Sequence, residues 1–336
     1  MKKFLSFFLA FLLLITALSA TACSNEKKLN KTVVGTVGGY EVYYEELRWL
    51  TLQYKDLYEA SYGEGIWDDG ETAEKYRADL ENSVYTAILA NYAVLTLCDD
   101  PSLTLNGEKL IDINSASVQE LVDNFINETI DEVGGERNYK KDLKESYLTD
   151  DLYRFITGID ICENLLFKQY CELMLIDDSN EAAYEYITEN FIRTKHIYIQ
   201  NDAKDNAAEN RALAESIRIK LMNGEDLDTL IDNYSEDGYM SADGYYFTRG
   251  QYSKAYENAS FALSVGEISE VVETFSGYYV IQRLEPDNEY IMRNLLLGLK
   301  DQYLLAVFDK YIEDCKATLT FIPNEFGSEL DLTEMK

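Results

Sequence analysis

The stretch "TKHIYIQ", residues 194–200, contains the only histidine in a chain of 336 residues. Its residues alternate as in a pleated strand, with Ile197 and Ile199 on one face and His196 and Tyr198 on the other. Such a strand lies in a sheet whose two sides are differently employed. The histidine itself has three readings: a metal ligand, a catalytic group, or a hydrogen-bonded residue packed on the sheet. The stretch alone leaves all three open.

Outward from this strand, strands and helices alternate over about 90 residues, from 194 to 285. "NDAKDNAAENRALAESIRIKLMNGED" places Ala208, Leu213, Ile217 and Leu221 along a long helix, with Gly224 as its stop signal. "DLDTLIDNYSEDG" reads as a second, shorter helix. "GYYFTRGQY" reads as strand then turn, "YSKAYENASFALSVGEI" as helix then turn, and "EVVETFSGYYVIQRLE" as a hairpin-like strand pair. Pro286 stops the last strand, and Asp287 or Asn288 can cap the next helix.

On either side the chain is helical. "TVVGTVGGYEVYYEELRWL" gives two short strands around Gly38-Gly39 and a helix from about Tyr44. Amphipathic runs follow over 45–60, 71–98, 117–133, 136–148 and 150–176, then a short helix in "DDSNEAAYEYITENF". After the boundary, "EYIMRNLLLGLKDQYLLAVFDKYIEDCKATL" reads as one long amphipathic helix. The expected fold class is α+β: a mostly helical domain into which an alternating unit is inserted.

The N-terminus points to export. Lys2 and Lys3 precede the apolar run "FLSFFLAFLLLITALSATAC", the order of a secretory signal peptide over residues 1–22. Ala20, Thr21 and Ala22 before Cys23 resemble a bacterial lipobox, although leucine is usual where Ala20 stands, and they also fit an ordinary signal peptidase site. The lipoprotein reading is favoured, because a cysteine directly follows the cut and the polar residues 23–31 make a tether. Retention as an uncleaved helix is the alternative.

Formal net charge is −31, and −33 without the two lysines of the leader. Such a chain repels phosphate backbones and anionic headgroups, which excludes nucleic acid as a partner and leaves a lipid as the route to a membrane. Cys162 and Cys171, nine residues apart, fall on opposite faces of one helical run, and Cys98 and Cys315 read as isolated. Four buried thiols are therefore expected rather than a disulfide framework. With one histidine and no C-x-x-C, neither zinc nor any other cofactor is called for. The carboxylates of "NDAKDN" and "SEDGYMSADG" do not fit the calcium-loop template and read as solvated loops.

Residues 194–285 resemble a parvulin-type peptidyl-prolyl isomerase domain. The likeness is carried in order by "KHIYI", "NGEDLDTLIDNYSED", "FTRGQYSKAYENASFAL", "VGEISEVVET" and "SGYYVI". The layout of the flanks, with "VVGTVGGYEV", is similar to the exported PrsA foldase lipoproteins and to the chaperone SurA. The resemblance implies a signal peptide (1–22), a tether (23–31), a helical SurA-like chaperone domain (32–193), a parvulin domain with a small antiparallel sheet flanked by helices (194–286), and a C-terminal helix returning to the chaperone domain (287–336). It implies a membrane-anchored extracytoplasmic foldase, lipidated at Cys23, that isomerises X-Pro bonds in folding exported polypeptides; a non-catalytic holdase is the alternative. A homodimer is left open.

In the family the opening histidine pairs with a second one on the last strand, in a block resembling "SGYHII". Here that second position is Tyr279, and the phenol is expected to replace the imidazole as hydrogen-bond partner of His196. Asp237 matches the Asp or Cys beside the cleft, and Ser276 the polar residue before the final strand. Tyr252 and Tyr256 match the groups holding the proline ring, alongside Phe247 and Phe261, and Gly244 stands where a leucine usually lines the pocket. The first loop offers only Lys204 and Arg211, so selectivity for phosphopeptides is not implied.

Overall fold

Two glycines in a row set the first element. Gly38 and Gly39 both have positive φ, 59° and 95°, which a two-residue hairpin turn matched to strand twist requires. They join β1 (Val33–Val37) to β2 (Tyr40–Tyr43) with Val37 opposite Tyr40. The structure, a computed structural model, describes residues 28–68, 70–105, 108–201, 207–274 and 276–336. The leader, Cys23, most of the tether, and Lys204 lie outside the described residues. Among the described residues no helix is long and apolar enough to cross a membrane.

The chain divides into two compact units, one ending at Gln169 and resuming at Lys310, the other spanning Tyr170–Asp309. In the first, α1 (Tyr44–Tyr62) and α2 (Glu71–Cys98) pack on each other and bury Leu47, Leu50, Leu80, Val84 and Ile88. A two-residue pair, β3 (Thr104–Leu105) and β4 (Glu108–Lys109), precedes α3 (Ala116–Glu132), α4 (Glu136–Glu145) and α5 (Asp150–Glu172). The second unit contains α6 (Asn180–Asn190), β5 (Ile192–Gln200), α7 (Ala207–Met222), α8 (Leu227–Tyr234), β6 (Tyr245–Phe247), α9 (Lys254–Ala262), β7 (Val272–Thr274), β8 (Gly277–Leu284) and α10 (Asn288–Asn294). Helix α11 (Leu299–Lys316) leads back to the first unit, where β9 (Phe321–Pro323) pairs with β1 and α12 (Glu325–Ser328) comes next.

Three expectations are corrected. The long helix after residue 288 is two helices, because a 3₁₀ turn over Leu295–Leu297 and Gly298, at φ 123°, interrupt it. The C-terminal segment is not only helical, since β9 makes the sheet order β2-β1-β9. Cys98 is not isolated: its thiol neighbours that of Cys162, and this neighbour with burial pushes the Cys98 thiol well up.

The four-stranded sheet of the second unit has the order β6-β5-β8-β7, all antiparallel, with His196 opposite Ile281 and Tyr198 opposite Tyr279. The two faces divide as the alternation predicts. Ile197 and Ile199, with Tyr278 and Val280, pack on Ala214, Ile217 and Leu221 of α7 and Leu230 of α8. On the opposite face Ile192 and Ile281 join Phe247, Tyr256 and Leu263, and His196 is set among these.

Candidate active site

Strand pairing brings His196 and Tyr279 to one face, and a third element supplies the contacts that hold the imidazole. His196 is 3% exposed. Its Nδ1 lies 2.9 Å from the hydroxyl of Tyr256 on α9, and that hydroxyl lies 3.0 Å from Oγ1 of Thr194. Helix α9 is fixed for this task at its start: Ser253 caps it through the Tyr256 N–H, and Glu257 accepts the N–H of Tyr252 at 2.9 Å.

On its other side, Nε2 of His196 sits 3.1 Å from Oδ2 of Asp237. The approach is off the line that a full hydrogen bond needs, so this buried nitrogen has no aligned partner. Asp237 also accepts the hydroxyl of Tyr245 at 2.9 Å on Oδ2 and the N–H of Tyr239 at 2.9 Å on Oδ1. The adjacent imidazole is the main influence holding its carboxyl down at about 2, with the donors from Tyr239 and Tyr245 adding to it against partial burial. Asp237 is thus an anion throughout the neutral range. Burial raises the phenols of Tyr245, Tyr252, Tyr256 and Tyr279, and all four stay protonated at neutral pH.

The expected hydrogen bond between His196 and Tyr279 is corrected. Their rings meet edge to face at 5.0 Å, and the Tyr279 hydroxyl turns to Ser276, 3.4 Å away. Tyr279 stacks on Tyr198 at 4.6 Å. Ser276 is exposed, and its carbonyl accepts the hydroxyl of Tyr198 at 2.7 Å. The phenol that meets the imidazole nitrogen is that of Tyr256, expected as a wall of the slot.

Gly244 is also corrected. Its φ is +75°, and a Cβ there would meet the carbonyl oxygen of Thr194 at 2.5 Å, so no leucine fits and the position faces backbone, not an open slot. Phe247 is buried at 1% exposure, with rings of Tyr252 and Phe261 at 4.8 and 5.9 Å. Tyr252 is 40% exposed, and the Arg249 guanidinium lies over Phe261 at 4.3 Å. Phe247, Tyr252 and Phe261 therefore form a continuous aromatic cluster that is joined to His196 through the Tyr256 ring and is open to solvent at Tyr252.

Two residues of the site were missed, Tyr245 and Thr194. The alternation of "YYF" puts Tyr245 on the same face as Phe247, and that of "TKHIYIQ" puts Thr194 on the same face as His196.

The sequence pattern of the PPIC-type PPIase domain matches residues 184–287, the segment that contains His196, Asp237, Tyr256 and Tyr279. Residues 184–287 are a parvulin-type isomerase domain. The parvulin domain sits in a longer chain that is 25% identical to the foldase protein PrsA of Caldanaerobacter subterraneus over 336 aligned residues, 95% of each chain. The chaperone SurA of Chromohalobacter salexigens is 34% identical over 54% of this chain and 42% of its own length. PrsA of Bacillus subtilis is 30% identical over 30% of this chain and 32% of its own. The chain thus carries a parvulin-type PPIase domain within a sequence that is similar to a PrsA foldase along 95% of its length.

Proposed function

We propose that the chain is an extracytoplasmic foldase, lipid-anchored through Cys23, that accelerates cis/trans isomerisation of X-Pro bonds in exported polypeptides. Residues 194–286 carry the isomerase in this reading, and the helices of 32–193 and 287–336 hold client chains. The observation that carries it is the constellation over one sheet face: a buried imidazole between an ionised Asp237 and the Tyr256 hydroxyl, joined through the Tyr256 ring to the aromatic cluster of Phe247, Tyr252 and Phe261.

That constellation suits the chemistry. Twisting a peptide bond costs about 18–20 kcal/mol because amide resonance is lost, and an X-Pro bond left alone takes roughly tens to hundreds of seconds. No covalent bond forms or breaks. The site has only to bind the twisted amide better than the planar one, by seating the proline ring on an apolar surface and offering fixed polar groups to the altered nitrogen and carbonyl. About 4 kcal/mol of such preference gives roughly a thousandfold acceleration.

A non-catalytic holdase is the second reading, favoured by the absence of a bond between His196 and Tyr279. A protease-coupled isomerisation assay on wild type and His196→Ala separates the two when rate and thermal stability are measured on the same samples. The isomerase reading expects a rate loss per folded molecule in the variant, beyond a destabilisation of about 1–3 kcal/mol from orphaned buried partners. No acceleration by the wild type, with aggregation of clients still suppressed, would leave only the holdase.

A further inference from the structure

The ring of Tyr256 could be replaced by phenylalanine without loss of apolar surface, so its hydroxyl needs a separate explanation. That hydroxyl is held between two polar groups, Nδ1 of His196 at 2.9 Å and Oγ1 of Thr194 at 3.0 Å. All three residues are buried, at 2%, 3% and 0% exposure for Tyr256, His196 and Thr194. At such depth each proton is directed to a protein acceptor.

The possible proton placements are few. If the neutral imidazole carries its proton on Nε2, that proton faces the Asp237 carboxylate, Tyr256 donates to Nδ1, and Thr194 donates to Tyr256. Both hydroxyls then donate to an acceptor, and the Nε2 proton has an anionic oxygen 3.1 Å away, though off the line of a full hydrogen bond. With the proton on Nδ1 instead, the Nε2 lone pair faces an anionic oxygen 3.1 Å away, which is repulsive, and the Tyr256 and Thr194 hydroxyls must both reverse. Tyr245 donates to the same Asp237 oxygen in either case, so it does not alter the preference.

We propose that Tyr256 is a positioning residue: its hydroxyl, oriented by Thr194, fixes His196 as the Nε2–H tautomer and holds the imidazole plane in place. The role that the family's block gives to a second histidine on the last strand is here filled from the helix, by a phenol. As far as rate is concerned, this rests on the isomerase reading; the tautomer does not.

The single histidine makes the test clean, because ¹⁵N-histidine labelling of the full chain gives one imidazole. The wild type is expected to show a pyridine-like, hydrogen-bonded Nδ1 and a protonated Nε2. In Tyr256→Phe the Nδ1 signal should lose its hydrogen-bond shift or merge toward a tautomer mixture. Turnover should fall about tenfold, as for the loss of one neutral hydrogen bond, with KM nearly unchanged. Thr194→Val should move both readouts the same way by less, and it stands in if Tyr256→Phe does not fold.

A slot-lining role for Tyr256 expects the opposite: phenylalanine at least as active as tyrosine, with the spectrum unmoved. That result, or a wild-type spectrum with the proton on Nδ1, overturns the proposal. If the wild type turns over no peptide, the isomerase reading fails by itself, and the imidazole spectra of wild type and variants alone decide the tautomer.

Discussion

Glu46 should make the first unit less stable as pH rises from about 4.5 to neutrality. It sits in the first turn of α1 at 2% exposure, where Oε1 accepts Nδ2 of Asn91 at 3.0 Å and Oε2 accepts the Tyr92 hydroxyl at 2.9 Å. The Tyr92 hydroxyl is shared with the carbonyl of Glu41 at 3.0 Å, so its donation is divided. Burial outweighs these donors and pushes the carboxyl from 4.5 up to about 7, with the neighbouring Glu45 adding repulsion. The folded pKa thus lies above the unfolded one, and the native state holds a proton that the unfolded chain has released. The contribution is complete below about pH 4.5, is lost as pH rises, and is constant above about 7.

At 1.36 kcal/mol per decade the full loss is about 3 kcal/mol, of which about 2.5 kcal/mol falls between pH 5 and pH 8. Glu46→Gln keeps the size and an acceptor oxygen while removing the titration. Its stability relative to wild type should therefore rise by about 2.5 kcal/mol across that range. Both tryptophans of the chain, Trp49 and Trp67, belong to the first unit, so urea unfolding followed by tryptophan fluorescence reports that unit. Asp160, also raised by burial, is present in both proteins and cancels. Parallel stability curves for wild type and Glu46→Gln from pH 5 to pH 8 would refute the reasoning.

Gly244→Leu should lower the melting temperature of the second unit and reduce isomerase turnover, since a Cβ at φ +75° is driven into the Thr194 carbonyl; a variant as stable as wild type and more active would show that the position does line an open slot. Cys23→Ala should release the protein from membranes or block its processing, read by fractionation; unchanged membrane association with the leader still attached would point to an uncleaved helix.

What the sequence disclosed came from periodicity and from turns that only glycine makes easily. The alternation in "TKHIYIQ" correctly divided β5 into a helix-packed face and a site face, and Gly38-Gly39 located the first hairpin. The proximity of His196 and Tyr279 was legible as well, but as a hydrogen bond, whereas their rings meet edge to face. Hydrogen-bond partners were not, because they depend on how α9 approaches the sheet, which strand periodicity does not encode. The family position of Tyr256 implies a group that holds the proline ring, a role that makes no use of the hydroxyl distinguishing it from phenylalanine. Strand β9 escaped for a different reason: three residues ending in Pro323 carry no alternation, and proline argues against a strand except at an edge, where β9 lies. The break in the C-terminal helix was hidden by the apolar run Leu295–Leu297, of which Leu296 and Leu297 are exposed.

The sheet order β2-β1-β9 sets a sequence of events during synthesis. Gly35 pairs with Pro323, so the first unit cannot be completed until nearly the whole chain is available. The second unit has all its residues by Asp309. Sheet contacts closed across such a long loop form late, whereas a contiguous segment folds from its own nearer contacts. A chain delivered N-terminus first therefore finishes the unit that holds its parvulin-type domain before its helical unit, and truncation after residue 309 would spare the former while leaving β1 an open edge. An unpaired strand of this kind is a template for other extended chains, so the stage between the two closures is the one at which this chain is most open to joining another.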